Sequence, residues 1–199
     1  MDYYNTIQPG EPSLYKEKGS KFYGYVFRVT DEEEVKEAIE NLKKEHHNAR
    51  HWCYAYRLHP ESDLYRINDD GEPSGSAGKP IYGQILSADL FEILVVVVRY
   101  FGGTKLGVSG LITAYKAAAE DAIRTSKLKS IKITRPFLVT CDYTELDPLM
   151  RTVHSMDCDI IEQDFTADCT LRIGVLVSKV TEFRNSFNNF KTLKIEELE

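Results

Sequence analysis

Apolar and polar positions alternate in "SKFYGYVFRV", where Phe22, Gly24 and Val26 share one side of a strand and Tyr23, Tyr25 and Phe27 the other. Both sides are apolar enough for a strand covered on two faces. The period then changes. In "TDEEEVKEAIENLKKEHHNA" the apolar positions Val35, Ala38, Ile39 and Leu42 make a helical stripe. Thr30 and Asp31 stand as caps, acids fill the first turn, and Lys43 and Lys44 lie near the end. "HWCYAYRL" returns to a strand, with "LYRIND" as its hairpin partner across "HPESD". "DDGEPSGSAGKPIYGQI" is too rich in Gly, Pro, Ser and acid to pack as one element, and reads as a loop with a short helix from about Ala77.

"LFEILVVVVRY" is continuously β-branched, as in a strand buried on both faces. A Gly-Gly corner follows. The next helix begins near Gly107 or Ser109, with Leu111, Ile112, Tyr115, Ala118, Ala119, Ala122 and Ile123 along one side. Around "SKLKSIKITRP" the pattern resets, and from Pro136 the order is strand, helix, strand, strand, helix, strand. That βαββαβ succession is a split ferredoxin-like unit, with Pro148 near the first turn of its helix. The fold class is therefore α+β, with one domain over residues 1–130 and a second over 131–199.

Charge and cysteine usage narrow the chemistry. The net charge of −6 gives no long-range attraction to a phosphate backbone, so nucleic-acid binding requires a local basic patch. No apolar run reaches the length of a membrane span and the N-terminus shows no leader pattern, which predicts a cytoplasmic protein. The four cysteines show no CxxC spacing and sit in apolar stretches, which argues against a disulfide framework. His47, His51 and Cys53 lie close together, but zinc needs a fourth ligand and none stands at a recognisable spacing. No residue is obviously placed to orient a histidine for nucleophilic catalysis. No cofactor, metal or catalytic set is assigned.

The strongest candidate is the corner "VVVVRYFGGTKLGVSGL". Gly102 and Gly103 permit close backbone approach, and the helix that follows offers free N–H groups at its N-terminus. Arg99 and Lys105 flank it, and Tyr100 or Phe101 would stack a base. Together with Gly107 these residues form a candidate phosphate or nucleic-acid site, which Arg50, Lys21 and Lys79 extend if the fold brings them alongside. A P-loop is excluded, because Val108 stands where its lysine belongs and Pro80 follows Gly78-Lys79. Ser74 and Ser76 in the "SGS" stretch offer a second phosphate cradle of backbone amides. Three readings stay open: RNA or ribosome-associated binding; an enzyme acting on a phosphorylated small molecule, with Asp70 or Glu72 on magnesium and Lys79 on phosphate; and a protein-interaction scaffold. For the acids of the loop from Asp69, the alternative reading is that they cap a helix.

Four stretches, "GSKFYGYVFRV", "HNARHWCYAYRL", "DDGEPSGSAGKPI" and "VVVVRYFGGTKLGVSGLITAY", closely resemble the signature blocks of the YigZ/IMPACT family. The blocks run from about Gly19 to Ile123, and the second domain looks like the small C-terminal domain of bacterial members. The resemblance implies a ribosomal-protein-S5-domain-2-like N-terminal domain and a ferredoxin-like C-terminal one, folds that recur in proteins touching ribosomal RNA. It therefore implies translation-linked or nucleic-acid binding. The family's role in the eukaryotic starvation response uses an extra N-terminal domain and is not carried over here, and the family supplies no catalytic set.

Overall fold

A computed structural model describes residues 2–62, 64–166 and 168–198. The chain is mixed α/β and divides into two compact units, Asn5–Ser130 and Met1–Tyr4 with Ile131–Glu199. In chain order the elements are β1 (Tyr3–Gln8), β2 (Ser13–Glu17), β3 (Ser20–Arg28), α1 (Glu32–Glu45), β4 (His51–Arg57), β5 (Tyr65–Asn68), α2 (Gly78–Ser87), β6 (Ile93–Tyr100) and α3 (Gly107–Thr125). Then come β7 (Lys127–Lys132), β8 (Thr134–Cys141), α4 (Tyr143–Ser155), β9 (Asp159–Asp164), β10 (Cys169–Leu176), α5 (Val180–Ser186) and β11 (Lys194–Glu197).

The first unit is built on a five-stranded sheet in the order β2-β3-β6-β4-β5. β6 sits at its centre, antiparallel to both β3 and β4. Because successive strand residues point to opposite faces, β6 feeds two separate cores. Ile93, Val95 and Val97 pack with Ile81 and Ile85 of α2 and Leu111, Ala114 and Tyr115 of α3. Leu94, Val96 and Val98 pack with Val35, Ile39 and Leu42 of α1. The unbroken apolar run of β6 thus reflects burial on both sides.

α1 begins as its sequence predicts. Asp31 Oδ1 accepts the Glu34 N–H at 2.9 Å, and Glu34 Oε2 in turn accepts the N–H of Thr30 at 2.7 Å. This reciprocal cap satisfies donors that the first turn leaves open.

In the second unit, β8, β9, β10 and β11 form an antiparallel sheet in the order β11-β8-β10-β9, with one apolar core that includes Phe137, Leu149, Leu171 and Phe183. One local expectation shifts. α4 starts at Tyr143, so Pro148 is its sixth residue rather than a first-turn one, and the helix forgoes the bond its missing N–H would have made. β1 and β7 pair with each other as a two-stranded ladder.

Candidate phosphate-binding site

β6 ends in Arg99 and Tyr100, which face opposite ways. Arg99 points to the face of α2 and α3, level with Phe22 on β3 and His51 on β4. It is buried, its side chain 6 % exposed, and its Nη1 donates to Glu72 Oε1 at 2.5 Å. The same oxygen accepts the Tyr115 hydroxyl at 2.8 Å and lies 3.9 Å from His51 Nε2. Cys53 Sγ sits 3.3 Å from the Tyr115 hydroxyl and 3.0 Å from the Asp69 carbonyl. Burial pushes both the Cys53 thiol and the Tyr115 phenol well above their usual ranges, and the nearby Glu72 carboxylate adds to the effect on each. Both groups are therefore neutral hydrogen-bonding parts beneath the site.

Glu72 reaches this position through the loop. Asp70 and Gly71 both adopt positive φ, 41° and 85°, which turns the chain sharply. Asp70 clamps the turn to β4: its Oδ2 accepts the Trp52 N–H at 2.7 Å, and its carbonyl lies 2.8 Å from His51 Nδ1. With Nδ1 engaged there, His51 leaves Nε2 facing Glu72 and the pocket above it.

That pocket has a volume of about 490 Å³. Arg50, His51, Arg99 and Lys105 supply its basic lining, Glu72 its acidic one, and Phe101, Pro73, Leu106, Val108 and Leu111 its apolar walls. α3 opens into it at Gly107. Among the described residues no side chain caps that end, whose N-cap residue is Leu106, and no acid occupies the first turn. A Cβ added to Gly103 (φ 89°) or Gly107 (φ 73°) would meet no neighbour, so both open positions are set by backbone conformation alone.

Arg50, Arg99, Phe101, Lys105 and Gly107 thus line one pocket, and the other residues proposed for the patch do not line it. Tyr100 lies on the opposite face, 2.8 Å from His46 Nδ1 through its hydroxyl. With Lys21, Gly19 and Tyr23 it lines a separate recess that Phe101 also borders. Gly102 is architectural: an added Cβ would stand 1.9 Å from the Gly19 carbonyl carbon, and its N–H donates to Ser20 Oγ at 3.1 Å. Its missing side chain therefore admits the β2–β3 turn rather than a ligand.

Ser74 is exposed, Ser76 is buried with its hydroxyl donating to the Pro73 carbonyl at 2.6 Å, and Lys79 is exposed on the first turn of α2. One amide of the Ser-Gly-Ser stretch, that of Gly75, and the two that follow the stretch already have an anion, while the Ser76 N–H donates to the Pro73 carbonyl at 3.0 Å. Asp69 Oδ2 accepts the Gly75 N–H at 2.8 Å, while Oδ1 accepts those of Ala77 at 3.0 Å and Gly78 at 2.8 Å. That cradle is filled from within, as the helix-capping reading of the loop acids requires. Among the described residues, no group of three His, Cys, Asp or Glu side chains stands close enough to hold a metal ion. No helix among them is long and apolar enough to cross a membrane.

Glu72 is the principal residue that reading along the sequence does not join to this site. It lies 27 positions from Arg99, within an irregular loop. One available signal was that strand alternation forbids Arg99 and Tyr100 from sharing a ligand.

The Impact N-terminal domain model matches residues 18–123, and a domain of unknown function (DUF1949) matches residues 139–190. The chain is 33% identical over 175 residues to the IMPACT family member YigZ of Escherichia coli (strain K12), covering 87% of this chain and 86% of that protein. It is 38% identical over 144 residues to the IMPACT family member YvyE of Bacillus subtilis (strain 168), covering 72% and 66%. A crystal structure of a hypothetical protein is similar over 100% of this chain and 98% of its own, with a TM-score of 0.72 and 30% sequence identity.

Proposed function

The chain belongs to the IMPACT family, and from that premise we propose that it is a binding protein whose pocket at the start of α3 holds an RNA phosphate in the service of translation. One observation carries the reading: the uncapped N-terminus of a 19-residue helix opens into a pocket lined by Arg50, His51, Arg99 and Lys105. Free N–H groups and the helix dipole both favour an anion there. The basic side chains supply the local patch that an acidic chain needs to meet a polyanion.

The translation setting follows from the family resemblance, with a cytoplasmic location as its corollary. The βαββαβ order and the β11-β8-β10-β9 arrangement support reading the C-terminal unit as ferredoxin-like. The five-stranded N-terminal unit is read as S5-domain-2-like on the resemblance. A kinase-like phosphate loop is the weaker reading, because Asp69 occupies the amides such a loop would offer to ATP.

The test is a titration of single-stranded and structured RNA at several salt concentrations, comparing the native chain with Arg50→Gln/Lys105→Gln. Both side chains are on exposed residues, so the fold tolerates the change. Native binding should weaken with salt. The double variant should bind more weakly, with its log–log salt slope on single strands shallower by about 1.4, since each lost phosphate contact removes about 0.7. Salt-independent binding, or a variant indistinguishable from the native chain, would overturn the proposal.

A further inference from the structure

The charge inside the pocket is more than one phosphodiester can balance. Arg50, Arg99 and Lys105 face it against the single carboxylate of Glu72, and the free end of α3 adds partial positive charge. The Arg99 side chain is 6 % exposed; Glu72 holds its Nη1, and its buried Nε has no hydrogen-bond partner among the described residues. Arg99 lines the same pocket as the open helix end, so its fixed charge acts on whatever anion enters there. An internal phosphodiester brings one negative charge, whereas a terminal phosphate monoester carries about −1.5 to −2 near neutral pH and a third strong acceptor oxygen. Phe101 borders this pocket as an exposed residue, with the Arg99 guanidinium carbon over its ring at 5.7 Å from the centroid. An exposed aromatic residue beside a cluster of cationic side chains and an open helix end matches a nucleotide, with base on ring and phosphate on the helix end.

We infer that the pocket takes a terminal phosphomonoester borne by a nucleotide, in preference to the internal phosphates of a strand. This rests on the anion-binding reading above and adds the ligand class to it. Two sources share that chemistry, a free mononucleotide and the phosphorylated 5′ end of an RNA. Lys105 and Arg50 meet the dianion from the exposed side, Arg99 contributes its fixed charge from below, and Phe101 stacks the attached base.

The experiment compares three probes by calorimetry or anisotropy: a short 5′-phosphorylated RNA, the same RNA with a 5′-hydroxyl, and adenosine monophosphate. The phosphorylated strand should bind at least about tenfold tighter than its hydroxyl twin, the advantage of one additional charge-assisted contact. Arg50→Gln/Lys105→Gln should abolish that difference, and Phe101→Ala should weaken both phosphorylated probes about tenfold through lost stacking. Monophosphate binding as tight as that of the phosphorylated strand would support the inference and name the free nucleotide as the source. If neither strand bound but the monophosphate did, the ligand class would stand and the RNA reading would fall. Equal binding of the two strands would overturn the inference while leaving RNA-phosphate binding intact, and no binding of any probe would overturn both.

Discussion

α2 and α3 begin at glycine-rich corners against the same face of the five-stranded sheet, and their N-termini are treated in opposite ways. At α2 the carboxylate of Asp69 accepts three backbone N–H groups, from Gly75, Ala77 and Gly78. At α3 no side chain among the described residues is bonded to them, and the surrounding lining is predominantly basic, with Glu72 its one acid. A helix end needs an acceptor from somewhere, and these two differ in whether the chain itself supplies it. The filled end is a structural joint. The open one has the character of a binding site. Glycine content does not separate them; what does is an aspartate placed six to nine residues before the amides it caps.

The sharpest way to break this comparison is at Glu72, which belongs to the α2 loop but neutralises Arg99 beneath the α3 pocket. Glu72→Ala should cost about 3–5 kcal/mol in urea denaturation, because it strands a buried guanidinium. A loss below about 1 kcal/mol would mean that Arg99 is already compensated by solvent in the pocket, and that the two corners are not joined by this ion pair. Asp69→Ala comes next, at about 2–4 kcal/mol, since several hydrogen bonds to an ionised acceptor are lost at once. Inorganic phosphate should restore part of that loss by occupying the vacated amides. Recovery would show that α2 differs from α3 only in having its anion built in; the absence of recovery would show that loop geometry separates them as well.

Much of this was readable in advance from local pattern. The Asp31 cap, the doubly buried strand β6 and the start of α3 at Gly107 each follow from residues within a few positions of one another. Arg50, Arg99, Phe101, Lys105 and Gly107 come to line one pocket because β4 begins beside the end of β6, and the corner after β6 leads directly into α3. What escaped were the relations set by long closures. The Glu72–Arg99 pair depends on two consecutive positive-φ residues in the loop, and the role of Gly102 depends on a hairpin turn more than eighty residues earlier in the chain. Tyr115 looked like one more apolar stripe residue, and its ring is indeed core. Only the fold shows that its hydroxyl reaches Glu72.

The opposite face of the sheet provides a control. There Tyr25 and Tyr100 place their hydroxyls on either nitrogen of His46, 2.5 Å and 2.8 Å away, so these polar groups are paired within the fold. This face should respond to pH and not to anions. Burial, with a smaller contribution from Glu45, pushes Tyr25 from 10.0 up to about 12. Since the folded value lies above the unfolded one, the stability gained by keeping the phenol neutral is complete below pH 10 and lost as pH rises toward 12. A tyrosinate absorbance titration, with Tyr25→Phe as reference, should lose a component near the upper end of that window. A Tyr25 component titrating near 10 would mean the pairing with His46 does not exclude water.

The smallest expected effect bears most directly on the open helix end. Inorganic phosphate that binds only the folded chain stabilises it by RT ln(1 + [L]/Kd), about 0.4 kcal/mol when its concentration equals Kd. The native protein should show a small, saturating rise in melting temperature with phosphate, beyond that produced by chloride at equal ionic strength. Arg50→Gln/Lys105→Gln should lose it while retaining the stability lent by Asp69 at α2. Asp69→Ala should show a larger rise than the native chain, because both helix ends are then open. The order Asp69→Ala above native above the double variant would follow only if both helix ends can take an anion, α2 once its internal carboxylate is removed and α3 through its basic lining. If the double variant kept the full native rise, phosphate would be acting elsewhere and the α3 corner would revert to a strand-to-helix turn with basic residues at its rim.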